Sequence, residues 1–279
     1  MAINLASLRR TAVKRPPRIF AYGADGTGKS TFAAAAPNPV FIQTEDGLDA
    51  LDVQAFPLAR SFADVMDAIG ALAEEEHTFQ TVVLDSVDWC EQLIFKDVSQ
   101  EAKVANISEI GYSKGFVAAL SRWSMLLEGL DILRNERNMG VILIGHAAIK
   151  KFDDPTTESY DRWQPDMHAS AASTLSEWAD VLAFVNFRVA VKQQDVGFNR
   201  KIAKGTGNGT RTMFLESRPA FQAKSRWRIG TDCPLDWSTF AARLEKAQGG
   251  QDAAHVEDAE PVAEEKPVEI KKEGKVKAA

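Results

Sequence analysis

RIFAYGADGTGKST, residues 18–31, decides the fold. An apolar run from Ile19 to Tyr22 has strand character and feeds Gly23-Ala24-Asp25-Gly26-Thr27-Gly28-Lys29-Ser30, which fits G-x-x-x-x-G-K-[ST] between a strand and a helix, the setting this motif requires. Glycines let the backbone wrap a chain of phosphates with its N–H groups turned inward. Lys29 then reaches the β- and γ-phosphates and the Ser30 hydroxyl ligates Mg²⁺; Thr31, one residue too late for the ion, closes the cofactor-binding stretch.

Outward from this loop, strand-length apolar runs (Pro39 to Gln43, Thr81 to Asp85, Gly140 to Gly145, Val181 to Phe187) alternate with helical patterns. Helices are expected at 29–36, 87–102, 115–137 and 168–180. Another follows Ser61, a good N-cap, with Phe62, Val65, Ile69 and Leu72 on one face. Such alternation implies parallel strands joined by right-handed crossovers, hence an α/β P-loop NTPase core: a mostly parallel sheet flanked by helices. Between Arg188 and Lys224, short β-like segments around the turn-rich string KGTGNGT (204–210) predict antiparallel hairpins that extend the sheet, with Arg200, Lys201, Lys204 and Arg211 at a mobile hairpin tip or in a basic contact.

Composition sets the limits. The 279 residues are 45% hydrophobic and 26% charged, which excludes collagen-like and wholly disordered chains. Lys+Arg of 33 against Asp+Glu of 39 leaves a net charge of −6, so any nucleic-acid contact has to come from local basic patches. Residues 1–17 read as a basic N-terminal arm, tied down by packing or engaged with DNA or a partner. Residues 18–247 read as the ATPase core and 248–279 as a disordered charged tail without aromatics. That tail either recruits a partner such as a single-strand-binding protein or keeps the chain soluble. No run of about 18 apolar residues is present, no secretion signal is apparent, and two cysteines, Cys90 and Cys233, make no framework, so a reducing cytoplasm and no membrane are expected. His77, His168 and His255 have no metal-ligand spacing, and no structural zinc is expected. Trp89, Trp123, Trp178, Trp227 and Trp237 are expected in core or subunit packing.

Thr81-Val82-Val83-Leu84-Asp85 is a buried-strand pattern ending in an acid, which places Asp85 on the Mg²⁺ water shell opposite Ser30. Asp88, a turn further on, reads as a solvent-facing or helix-dipole residue rather than a second ligand. Hydrolysis needs a carboxylate near the γ-phosphate, and Glu45, just past the strand Pro39 to Gln43, is the candidate; the alternative is that Glu45 and Asp46 cap the next helix. The guanine-reading motifs Asn-Lys-x-Asp and Thr-Lys-x-Asp are absent, so ATP with Mg²⁺ is the expected pair.

GADGTGKS (23–30), FIQTEDGLDAL (41–51), TVVLDS (81–86), GYSKGF (111–116), LIGHAAIKKFDDP (143–155) and AKSRW (223–227), in this order, resemble the RecA superfamily. More narrowly, residues 15–245 or so resemble phage nucleotide-binding proteins with a shortened RecA-like core that act as single-strand annealing recombinases. The resemblance implies a DNA-stimulated ATPase that binds single-stranded DNA and promotes annealing or recombination, as a homo-oligomer with ATP at subunit boundaries. It makes Glu45 the general base and puts His146, in place of the usual glutamine, at the γ-phosphate sensor, where a histidine's charge varies near neutral pH. A satisfied strand-end histidine is the alternative. It also implies that Lys224 and Arg226, two residues apart and on one face of a strand, reach a neighbouring subunit's ATP, the alternative being an exposed charged edge.

In that fold two loops hold the single strand, and the corresponding segments are about 104–116 and 147–168. Lys114 in the first, and Lys150, Lys151, Tyr160, Arg162 and Trp163 in the second, interleave cations with stacking faces. Asp153, Asp154, Glu158 and Asp161 dilute that signal, so a lid or subunit contact fits the second segment equally. Three other readings stand beside annealing: a ring motor or helicase core, which strand-unwinding assays would separate; a P-loop small-molecule kinase, which needs an acceptor pocket and no DNA; and a nucleotide-gated binding module with negligible turnover.

Overall fold

The computed structural model of the chain describes residues 14–195 and 201–249, with 189–195 and 201–208 described through their backbone alone. The parallel strands β1 (Arg18–Gly23), β2 (Pro39–Gln43), β3 (Gln54–Ala55), β4 (Thr81–Asp85) and β5 (Gly140–Phe152) are joined by α1 (Lys29–Ala34), α2 (Phe62–Glu74), α3 (Val87–Glu101) and α4 (Lys114–Glu136). After β5 come β6 (Tyr160–Pro165), α5 (Ala169–Trp178), β7 (Val181–Asp195), β8 (Lys201–Phe214), β9 (Lys224–Ser225), β10 (Asp232–Pro234) and α6 (Trp237–Gln248). The sheet runs β10-β8-β7-β1-β5-β4-β2-β3, with β6 on β5 and β9 on β7.

β1 is central, paired in parallel with β5 on one side and β7 on the other, and Ile19, Phe20, Ala21 and Tyr22 are fully buried. Burial on both faces is why this strand reads as an unbroken apolar run. One face carries α2 to α5, whose Phe62, Val65, Ile69, Leu126, Leu130 and Leu175 pack with Phe20 and Tyr22. The opposite face carries α1 and α6, where Phe32 and Phe240 pack with Ile19, Ala21 and Val185. The mostly parallel sheet flanked by helices agrees with the sequence. Ser61 caps α2 as expected: its hydroxyl accepts from Asp64 N at 3.2 Å, and the Asp64 carboxylate accepts from Ser61 N at 2.9 Å.

Three expectations are corrected. KGTGNGT does not form a hairpin tip; it lies inside β8, where Lys204 pairs with Lys192 and Gly207 with Val189. The register shifts between Phe187 and Val189, and Gly209 at φ 73° serves the bulge, so the glycines mark an irregular strand. Second, segment 147–168 is largely a hairpin, because β5 runs on past the sheet to Phe152 and β6 returns antiparallel, Lys150 opposite Arg162. Ala147 to Phe152 shows no apolar–polar alternation in sequence, and in the fold Ile149 is exposed while Lys150 and Phe152 are half-buried. Third, β7 extends to Asp195, well beyond Phe187. Of the tryptophans, Trp123 is fully buried in the core, while Trp89 on α3 is half-exposed. The arm before Lys14 and the tail beyond Gly249 lie outside the described residues; Lys14 itself meets Glu245 at 3.2 Å on the surface.

The root of β1 is fixed by charge. The Asp180 carboxylate, 3% exposed, accepts from Arg18 N at 3.1 Å and from Arg18 Nη2 at 2.9 Å, and lies 3.2 Å from Arg134 Nη2. Burial alone would raise the Asp180 carboxyl, but the hydrogen bonds and charge of Arg18 outweigh it and hold the group below the usual range. The stabilisation this gives is present above the unfolded aspartate value and is lost as pH falls through the lower folded one. Asp180→Ala takes the shared counter-charge from Arg18, Arg134 and Arg226, leaving Arg18 with Asp131 alone, and should cost about 3 kcal/mol or more in urea unfolding; an unchanged midpoint would show that the cluster holds nothing in place.

Candidate nucleotide site

All the parallel strands end at the same edge, and the site is assembled there. The loop after β1 turns through Gly26 (φ 67°) and Gly28 (φ 93°), the left-handed conformations that side chains resist. Thr27, fully buried, donates its hydroxyl to Ala24 O at 2.8 Å and closes the loop on itself. Lys29 is buried and its ammonium donates to Gly23 O and Ala24 O, each at 3.0 Å, so it is folded over the loop's own carbonyls. Burial pulls its pKa down, against the pull of Asp25, Asp85, Asp88 and Glu45.

Ser30 donates its hydroxyl to Asp85 Oδ2 at 2.6 Å, joining the loop's helix to the end of β4. Burial raises the Asp85 carboxyl, and the Ser30 hydrogen bond and Lys29 oppose this. A buried carboxylate against a hydroxyl is an oxygen pair suited to Mg²⁺, and a buried ammonium bonded only to carbonyls lacks the anion such a cation needs; the residues fit Mg²⁺ and a triphosphate. Thr31, in the same stretch, is exposed.

The end of β2 is clamped to β4. Thr44 N donates to Asp85 O at 2.8 Å, and the buried Thr44 hydroxyl donates to Ser86 O at 2.7 Å and accepts from Ser86 N at 2.9 Å. Glu45, the next residue, is thereby held at the edge with a quarter of its side chain exposed. Across from it, the register puts His146 opposite Gly23. His146 Nε2 lies 3.9 Å from Glu45 Oε1 and 3.4 Å from Asp25 Oδ1.

Asp88 corrects one of the two sequence readings: it stands in the first turn of α3, as a helix-dipole residue would, but it is turned inward. It is not solvent-facing: Asp88 Oδ1 accepts from His146 N at 3.0 Å, and Oδ2 lies 2.8 Å from His146 Nδ1. An acid in the first turn of α3 points back over the strand edge, which is the signal that could have found it. Glu45, Asp88 and His146 each bring a ligand atom within 4.8 Å of the others. With Asp88 on Nδ1, Nε2 is the ring nitrogen that faces Glu45, and the three groups form a chain that can hold and pass a proton. The Asp88 bond, against desolvation, raises the His146 pKa. Burial, with Asp85 and Asp88 adding and His146 opposing, raises that of Glu45.

Lys224 and Arg226 lie at the other end of the sheet, Lys224 opposite Leu182 and Arg226 N bonded to Asp180 O, roughly 10–15 Å of strand from Gly23. They project to one side as expected. Within this chain both donate to Glu177 O, at 3.1 and 3.2 Å, at the C-terminal end of α5, and Arg226 Nη1 is 3.3 Å from Asp180 Oδ1.

Of the DNA candidates, three are committed to the fold. Lys150 Nζ donates to Pro165 O and Met167 O at 3.0 and 2.9 Å. Arg162 Nη2 donates to Phe221 O at 3.0 Å with its guanidinium 4.9 Å from the Phe152 ring, and Trp163 packs against Phe184. Tyr160 is half-buried beside Phe152 at 5.5 Å. Lys151, 71% exposed, and Lys114, exposed beside the 97% exposed Tyr112, keep open faces. Phe116 stacks on His168 at 4.3 Å, so the start of α4 adjoins the base of the hairpin.

A central parallel strand, a glycine loop, a lysine over it and a serine tied to a strand-end aspartate define a P-loop ATPase core. The family model described as AAA domain matches residues 15–227, and the chain belongs to that family of ATP-binding and ATP-hydrolysing domains. No curated protein matches it. Among the described residues no helix is long and apolar enough to cross a membrane.

Asp88→Asn removes the charge that raises His146, so the histidine's titration followed by NMR should move to lower pH. Turnover in wild type should fall below the raised Glu45 value, where its carboxyl is protonated, and again above the raised His146 value. A histidine titration unmoved by Asp88→Asn would contradict the pairing.

Proposed function

We propose that this chain hydrolyses ATP with Glu45 as general base and couples turnover to single-stranded DNA in strand annealing or recombination. The observation that carries the hydrolytic part is the convergence of Glu45, His146 and Asp88 beside Lys29 and the Ser30–Asp85 bond.

Lys29 leaves the Gly23 and Ala24 carbonyls for the β- and γ-phosphates, exchanging weak acceptors for charged ones. Ser30 and Asp85 would hold Mg²⁺, which when bound neutralises phosphate charge. Glu45 takes a proton from a water as its oxygen bonds to the γ-phosphorus; the bond to the β,γ-bridging oxygen breaks and ADP leaves. His146, kept protonated and oriented by Asp88, donates from Nε2 to the γ-phosphate.

Support for the DNA part comes from the motif order shared with annealing recombinases and from connectivity. β5 passes from His146 straight into the hairpin, whose Ile149 and Lys151 are exposed, and Lys114 with Tyr112 lies beside its base. Head-to-tail assembly, with Lys224 and Arg226 serving a neighbour's ATP, belongs to the same reading and requires those groups to leave Glu177.

Steady-state hydrolysis with and without single-stranded DNA tests it. Glu45→Gln should lower kcat by about 100-fold or more while ATP still binds, and Lys29→Ala should lose ATP binding. DNA should stimulate the wild type, and the double substitution Lys114→Ala, Lys151→Ala should lose the stimulation but keep basal turnover. Full turnover in Glu45→Gln overturns the base assignment, and a wild type indifferent to DNA overturns the coupling. Mixing Arg226→Ala with Lys29→Ala subunits should restore part of the activity; no restoration contradicts action between chains.

A further inference from the structure

The catalytic groups all stand on one flank of the phosphate loop, over β5, β4 and β2, while β7 and β8 lie on the other. On that second flank Arg211 touches the loop: a methyl group placed on Gly28 would come within 2.9 Å of Arg211 Nη1 and 3.5 Å of its Cζ. Residues alternate along a strand, so Arg211 continues the row Leu215–Met213, both of which face the core under α1 and α6. Phe187, opposite Arg211, likewise continues the row Val181–Ala183–Val185. The two form the last regular rung before the bulge, at the point where these rows pass out of the core and reach the loop. The rung is held by Leu235 N, which donates to Arg211 O at 3.1 Å.

Neither side chain is explained by packing. Among the described residues no carboxylate pairs with the Arg211 guanidinium, although it lies against a loop that already carries Lys29. Two cations at one loop call for an anion between them. The Phe187 ring is 37% exposed. A nucleotide whose γ-phosphate faces Glu45 and His146 has its α-phosphate, ribose and base directed toward the opposite flank.

We propose that Arg211 and Phe187 form the α-phosphate and base half of the nucleotide site, Arg211 binding the α-phosphate in cis and Phe187 offering its ring to the base. This rests on the ATP reading above and extends it to two residues that the P-loop motif does not contain. Because these contacts are the same before and after hydrolysis, the rung sets affinity for nucleoside di- and triphosphates and leaves the chemical step alone.

Equilibrium binding of ATP, ADP and inorganic tripolyphosphate to the full chain, with kcat at saturating ATP, tests this. Arg211→Ala should weaken ATP and ADP by a common factor of about tenfold, with Arg211→Lys recovering part of the loss and kcat unchanged. Phe187→Ala should weaken ATP and ADP while tripolyphosphate, which has no base, binds as in wild type. Thermal melting confirms that the variants are folded. If Lys29→Ala loses ATP but Arg211→Ala and Phe187→Ala bind it like wild type, the inference fails and the ATP site stands. A kcat loss at saturation in Arg211→Ala also overturns it. If the wild type binds no ATP, the ATP reading falls and this one with it.

Discussion

The Ser30 hydroxyl and the Asp85 carboxylate meet at 2.6 Å, and that contact requires two strands that are not neighbours to end at the same height. β5 lies between β1 and β4, and its register with each sets their relative position: Gly23 is opposite His146 and Asp85 opposite Ile144. A one-residue slip in either pairing would turn Asp85 or His146 to the other face. Continuous burial of β1, β4 and the first half of β5 is what forbids the slip, so the apolar core and the polar site are one construction.

Charge is handled differently at the two ends of β1. At its root, Asp180 is buried among arginines and the cluster is closed, with donors and acceptors satisfied inside the fold. At its tip, Lys29 rests on carbonyls, Arg211 has no counter-charge among the described residues, and two carboxylates, Glu45 and Asp88, converge with one imidazole at the edge. An arrangement complete without a ligand holds a fold together; one that leaves cations against a loop, beside a Glu45 carboxyl raised by burial, is poised for a ligand that supplies the missing charge. This difference separates Lys224 and Arg226, tied into the root, from Lys29 and Arg211 at the tip.

Much of the fold was legible because period and burial agree: β1, β2 and β4 read as apolar runs, and Ser61, ahead of the face Phe62, Val65, Ile69 and Leu72, announced α2. The P-loop was legible because its chemistry is local. What failed was long-range. KGTGNGT carries turn residues, yet pairing with β7 pulled it into a strand, and the charges of segment 147–168 concealed a hairpin whose strands are mostly half-buried. Asp88 was missed as the partner of His146 because the two lie 58 positions apart in the chain, and the closeness of Arg211 to Gly28, 183 positions away, was hidden in the same way, since only the sheet's order brings such pairs together. Trp163 and Arg162 looked like a stacking surface in sequence, and Phe184, Phe152 and Phe221 claim them in space.

The central claim is that the loop after β1 holds a triphosphate with its ion between Ser30 and Asp85. A crystal structure of the chain with Mg²⁺ and a non-hydrolysable ATP analogue tests it most directly. The account predicts that Lys29 Nζ leaves the Gly23 and Ala24 carbonyls for phosphate oxygens and that the Ser30–Asp85 bond opens around a metal about 2.1 Å from the Ser30 hydroxyl. A nucleotide bound elsewhere, with Lys29 still on those carbonyls and the Ser30–Asp85 bond intact, would contradict it.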